Sequence, residues 1–152
     1  AFERAMWEDM ARNSGEKMLR ELAQQKLQEL AIEDVCTQLS QAVEFYEERH
    51  HRLPESLQDL VAGGIVENLP EDPLGGRYFL AGREVLNTTL QDDKLKHRLN
   101  RVRGGVNRYH GRTGAWPSSL EKAVEEGDLE FIPPHPYPGR DWRYDPATGN
   151  VE

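Results

Sequence analysis

Hydrophobic positions along this chain fall first at helical spacing, then alternate, and then the whole succession starts again. Ile32, Cys36, Leu39, Val43 and Tyr46 are separated by four, three, four and three residues, which places them on one stripe of an α-helix. Leu95, Leu99, Val102, Val106 and Tyr109 repeat that stripe at a shift of 63. Beyond each tyrosine the chain meets helix-ending residues, Pro54 in the first copy and Gly111, Gly114 and Pro117 in the second. A short helix is predicted next, Ser56 to Ala62 and Ser119 to Glu126, with Ser118 and Glu121 forming a capping box. Gly63 or Gly64, and Gly127, suit the left-handed position that closes such a helix. Pro-rich passages then lead into Arg77-Tyr78-Phe79-Leu80, an Ala81-Gly82 turn and Arg83-Glu84-Val85, which predicts a β-hairpin. The second copy offers Asp141-Trp142-Arg143-Tyr144, a turn at Pro146-Ala147-Thr148-Gly149, and Asn150-Val151.

The shift of 63 carries identity as well as pattern. Val43, Tyr46, Arg49, Pro54, Ser56, Leu57, Val61, Gly64, Glu67, Pro70, Pro73, Gly76 and Arg77 all meet the same residue type, 13 of the 35 positions from 43 to 77. No gap is needed. Such agreement marks an internal duplication, and a duplication decides the architecture before any other feature. Ahead of it, Phe2, Ala5, Met6 and Met10 supply an apolar face to a helix ending near Arg12. A break at Asn13-Ser14-Gly15-Glu16 follows, with Asn13 and Glu16 as expected caps for a second helix through Leu19, Leu22, Leu27 and Leu30. Asn87-Thr88-Thr89 reads as the linker between copies, with Thr89 placed to cap the next helix. The expected fold is therefore α+β: a helical N-terminal segment (residues 1–31) and two tandem units (32–86 and 87–152), each a long amphipathic helix, a short helix and a small antiparallel hairpin. Gly104-Gly105, inside the second long helix, either break it or let another backbone approach. Ala42 at the place of Gly105 in the first copy favours close packing of the two units.

Charge and chemistry narrow the function classes. Residues 1–86 hold 17 acidic and 9 basic groups, and residues 87–152 hold 10 of each, so the net charge of −8 lies in the first part. That balance argues against general nucleic-acid or anionic-membrane binding, since phosphate contacts need a positive field. No apolar run is long enough to span a bilayer, and the first residues lack the basic start and apolar stretch of a secretory signal. Cys36 is alone, so neither an intramolecular disulfide nor a thiolate metal cluster can form. His50 and His51 are adjacent and would point apart on a helix, which suits no single ion. Neither a phosphate-binding glycine loop nor a nucleophile elbow occurs, and the carboxylates are scattered rather than paired. The reading is of a protein that is not an enzyme and takes no cofactor. Two charged stripes remain as candidate interaction surfaces, Glu44, Glu47 and Glu48 on the first long helix, and Lys94, Arg98, Arg101 and Arg108 at helical spacing on the second.

The string Leu53-Pro54-x-Ser56-Leu57, Leu69-Pro70-x-Asp72-Pro73-Leu74-Gly75-Gly76-x-Tyr78 resembles the region after the long helix in major pseudopilins of bacterial type II secretion systems. It is also similar to the C-terminal module of bacterial tetratricopeptide-repeat proteins. The second copy follows it more loosely, with His135 where the first has Asp72. The apolar N-terminal pilin helix is missing, which counts against filament assembly, and so is the Asp-rich loop with which pseudopilins hold calcium, so no metal site is expected. The resemblance implies pilin-like units in a protein-interaction or scaffold module of a bacterial envelope protein, facing the envelope or periplasm and binding protein partners. The alternative it implies is a structural subunit of a secretion or pilus-like assembly.

Overall fold

The computed structural model describes residues 1–152, which divide into two compact units, 1–90 and 91–152. Both are mixtures of helix and a two-stranded antiparallel sheet, an α+β fold.

In the first unit, α1 (Phe2–Asn13) folds back along α2 (Lys17–His50), and Arg4 closes the hairpin by an ion pair to Asp34 at 2.5 Å. Residues 17–50 contain no glycine or proline and are rich in leucine, alanine, glutamine and glutamate, so nothing stops the helix for 34 residues. Hence α2 runs unbroken through residue 31, and the N-terminal helices belong to the same unit as the first repeat. The expected caps are not the ones used. Asn13 donates to Asp9, and Glu16 makes no side-chain cap; instead Ser14 Oγ accepts the Glu16 N–H at 3.3 Å. Nor does the apolar face of α1 enter a core: no α1 residue is buried, and Phe2 is 85% exposed.

Core formation begins farther along α2. Leu39, Ala42, Val43 and Tyr46 pack with Leu57, with Leu60 of α3 (Gln58–Ala62) and with Val85 of the hairpin β1 (Tyr78–Ala81) and β2 (Glu84–Asn87). Each buried leucine and valine of this set contributes roughly 1.5–3 kcal/mol by leaving water. The hairpin register pairs Tyr78 with Asn87 and Leu80 with Val85. Ser40 joins it to α2, accepting the Val85 N–H at 2.9 Å while donating to the Cys36 carbonyl at 2.7 Å.

The second unit rebuilds this arrangement with α4 (Thr88–Thr113), α5 (Leu120–Glu125), β3 (Tyr144–Asp145) and β4 (Asn150–Val151). In its core of Val102, Val106, Leu120, Ala123, Leu129 and Val151, the first four stand at the shift of 63 from Leu39, Val43, Leu57 and Leu60, and Leu129 from Val66, which packs against the first core. Backbone bonds repeat residue for residue. Ile65 and Val66 N–H both donate to the Leu60 carbonyl, and Asp128 and Leu129 N–H both donate to that of Ala123. The long helices end alike too, His51 at φ 55° and Gly114 at φ 77° each donating back four residues at 2.8 Å. Beyond Arg140 the strict shift ends: Tyr144 pairs with Val151 and Asp145 with Asn150 around a four-residue loop, where the first hairpin turns at Gly82-Arg83 alone. Trp142 stands just before this hairpin, its indole N–H donating to the Pro133 carbonyl at 2.6 Å.

Three expectations about α4 and α5 change at this level. Asn87, not Thr89, caps α4, its Oδ1 accepting the Leu90 N–H at 3.2 Å. Ser119, not Ser118, caps α5, accepting the Lys122 N–H at 3.1 Å. And Gly104-Gly105 neither break α4 nor await the other unit. A Cβ on Gly105 would lie 2.8 Å from Leu129 Cβ, so this glycine makes room for the returning loop of its own unit.

Candidate functional site

Two grooves carry the charged residues. In the first unit a groove of about 800 Å³ runs between α2 and the hairpin, with Ser40, Glu44, Glu47, Glu48, Arg83 and Glu84 among its walls. The three glutamates of the α2 stripe are therefore brought together, but not as equals. Arg83, in the hairpin turn, grips Glu47 with two hydrogen bonds, Nε to Oε2 at 2.8 Å and Nη2 to Oε1 at 2.7 Å. That fork holds the Glu47 carboxyl below its ordinary value and raises Arg83 in turn. Glu47 is thus a tie between helix and hairpin, while Glu44 and Glu48 stand exposed on the groove.

A second groove, of about 320 Å³, lies in the second unit. Lys94, His97, Arg98 and Arg101 form one wall of α4, at spacings of three, one and three that share a helix face. Phe131 and Pro133-Pro134 form the other. Arg98 Nη1 donates to the Pro134 carbonyl at 2.8 Å, which fixes the width of the cleft. The Arg101 guanidinium stands 5.7 Å from the Phe131 ring centre, and the ring is 44% exposed. His97 Nε2 lies 3.4 Å from Asp93 Oδ1. Of the basic stripe, Lys94, Arg98 and Arg101 are brought together. Arg108 is not: its Nε donates to the Asp128 carbonyl at 3.0 Å, where the loop after α5 returns beneath it. Neighbouring Arg112 binds Glu126 and Asp128 at 2.6 and 2.7 Å, a bridge that holds both carboxyls below their ordinary values.

Sequence reasoning missed His97, Phe131 and Arg83. A signal for Phe131 existed in the repeat alignment, where a phenylalanine meets Asn68 at a position outside the core. Arg83 had none, because its partner lies 36 residues away.

The D-P-L-G-G segment forms a structural latch. Asp72 Oδ1 accepts the Leu74 N–H at 2.6 Å, and Oδ2 accepts from Asn87 Nδ2 at 2.8 Å and Thr89 Oγ1 at 2.7 Å. Burial raises the Asp72 carboxyl, but these bonds, with a further one from the Gly76 backbone, outweigh it and hold the group low. A Cβ on Gly76 would collide with Asp72 and the hydroxyls of Thr88 and Thr89, so glycine is required there. His135 replaces the aspartate without losing the turn: its Nδ1 accepts the Tyr137 N–H at 3.1 Å, as Asp72 does for Leu74. The Tyr78 hydroxyl, buried without a hydrogen-bond partner, is pushed up to about 12, by burial first and then by Asp72. It stays a neutral packed phenol. No three His, Cys, Asp or Glu gather as ligands for a metal ion, and no helix is long and apolar enough to cross a membrane.

No family model, curated protein or solved structure matches this chain.

Proposed function

We propose that this protein is a non-catalytic protein-interaction or scaffold module of a bacterial cell-envelope protein, a helical hairpin followed by two pilin-like units. One observation carries the reading. The two copies share matching core positions and loop backbone bonds, yet their exposed charges differ: Glu44 and Glu48 stand over Asn107 and Gly111, and Lys94, Arg98 and Arg101 over Ala31, Val35 and Gln38. Duplication that preserves a scaffold while diverging on its charged faces is what selection on partner surfaces leaves behind. The envelope setting is supported by the L-P-x-D-P-L-G-G-x-Y string.

A capture experiment from a bacterial envelope fraction tests the reading, comparing the native chain with the Glu44→Lys, Glu48→Lys variant. Both residues are exposed, so the variant keeps its fold. The expected result is one set of envelope proteins retained by the native chain and reduced about tenfold or more by the variant, the scale of losing central interface contacts. Identical capture by both proteins would remove the acidic groove as a binding surface. Filaments forming as concentration rises would favour a structural assembly subunit instead.

A further inference from the structure

The duplication supplies an internal control for the basic groove. At the shift of 63, Lys94, His97, Arg98 and Arg101 stand over Ala31, Asp34, Val35 and Gln38, while Phe131 and Pro134 stand over Asn68 and Glu71. Only Pro133 has its own kind beneath it, Pro70. The first unit builds the same helix, turn and loop without any of the cations or the exposed ring. Folding therefore does not require them. A second difference concerns what lies over this face. In the first unit α1 folds along α2, and Arg4 reaches Asp34, the counterpart of His97, with a cation meeting a carboxylate. In the second unit the face offers the cations Lys94 and Arg101, with His97 against Asp93 between them, all exposed, beside a half-bare Phe131. An exposed aromatic ring flanked by cations is costly to leave in water and complements an apolar side chain flanked by acids.

We propose that the groove between α4 and residues 131–134 receives an acidic segment of a partner protein, with carboxylates on Lys94 and Arg101 and an apolar side chain over Phe131. This deepens the reading of the chain as an interaction module and rests on it. The dimensions suit a short segment. From Lys94 to Arg101 the helix rises about 10 Å, the length of roughly three extended residues. Arg98, tied to the Pro134 carbonyl, holds the cleft open for it. The chemistry fits protein better than nucleic acid. The cations occupy two turns of one helix, the unit around them is electrically neutral, and the rest of the chain carries −8. A nucleic-acid strand needs a longer positive track.

Fluorescence polarisation of the full chain with a labelled peptide alternating glutamate and leucine tests the assignment, with a ten-nucleotide oligothymidylate as comparator. Arg101→Gln and Arg108→Gln remove the same charge from the same helix, but only Arg101 lines the groove. The expected result is saturable peptide binding, weakened about tenfold by Arg101→Gln and by Phe131→Ala and little changed by Arg108→Gln. Circular dichroism should show all three variants folded, since Arg101 and Phe131 are exposed. Four outcomes overturn the proposal: no peptide binding by the native chain, equal loss in both arginine variants, tighter binding of the oligothymidylate, or a concentration-dependent dimer abolished by Arg101→Gln. Absence of peptide binding alongside undiminished envelope capture would sink the groove while leaving the module reading in place. Loss of both would sink the two together.

Discussion

His51 closes α2 in a conformation that a β-carbon resists, at φ 55° with its N–H on the Glu47 carbonyl. At the matching place in the second unit Gly114 does the same work without that penalty. A left-handed residue other than glycine costs on the order of 1 kcal/mol. Here the helix end is held by other means: His50 packs on Tyr46 with ring centres 4.3 Å apart, and Arg52 lies over the same ring. His51→Gly should therefore stabilise the first unit by about 0.5–1 kcal/mol, after allowing for the greater chain entropy of glycine. Urea unfolding of the two proteins checks this, and a destabilised variant would mean that the histidine side chain makes a contact worth more than the strain. His135 teaches the converse lesson. A ring nitrogen can serve where a carboxylate oxygen served, provided only one turn N–H must be met, and the three further donors that Asp72 satisfies have no equivalent at that site among the bonds of His135.

Between elements, the duplicated helices and loops have changed their residues in pairs. Gly105 and Leu129 occupy the places of Ala42 and Val66, so one side chain shrank where its neighbour grew. Ala42 is accommodated in the first core, against which Val66 packs. Gly105→Ala should cost about 1–3 kcal/mol, because the new methyl would need the space that Leu129 Cβ fills at 2.8 Å. Adding Leu129→Val should recover much of that loss, a coupling that chemical denaturation of the two single variants and the double variant would measure. Strictly additive effects would show that the loop moves aside at no cost. Longer range ties follow the same logic. Glu47–Arg83 in one unit and Arg112–Asp128 in the other pin a later segment to the end of a long helix, using different residues for the same task.

Across the whole molecule, acid sensitivity follows from carboxylates held low. Glu47 and Glu126 lie below 4.5, and Asp72 and Asp128 below 3.8, through hydrogen bonds from Arg83, Arg112 and the latch donors. A folded-state value below the unfolded one means stability that is complete above the ordinary carboxylate range and lost as pH falls through it. The unfolding midpoint should thus be flat near neutrality and drop below about pH 4.5. Asp72→Asn separates one contributor: its amide would face the Asn87 and Thr89 donors, lowering neutral-pH stability by about 1–3 kcal/mol, and the acid limb should become shallower. Thermal unfolding between pH 7 and pH 3, with and without the substitution, measures both effects, and an unchanged acid slope would remove Asp72 from the account. The net charge of −8 lies wholly in residues 1–90, so the two units differ in charge, −8 against zero.

The duplication, the two long helices, the short helices and the hairpins were legible in the sequence, because a 3.6-residue apolar period, paired prolines and turn glycines act locally and were written twice. So were the charged stripes, since spacing along a helix is itself a statement about a face. Tertiary structure alone decided which charges face a groove and which are spent on ties. Arg108 and Arg101 share a stripe, and only the path of residues 128–134 makes one a strut and leaves the other beside Phe131. Caps were misjudged by one or two residues for the same reason. A serine or asparagine is a cap only where the incoming chain turns its oxygen onto a free N–H, and that direction is set by packing far from the residue itself.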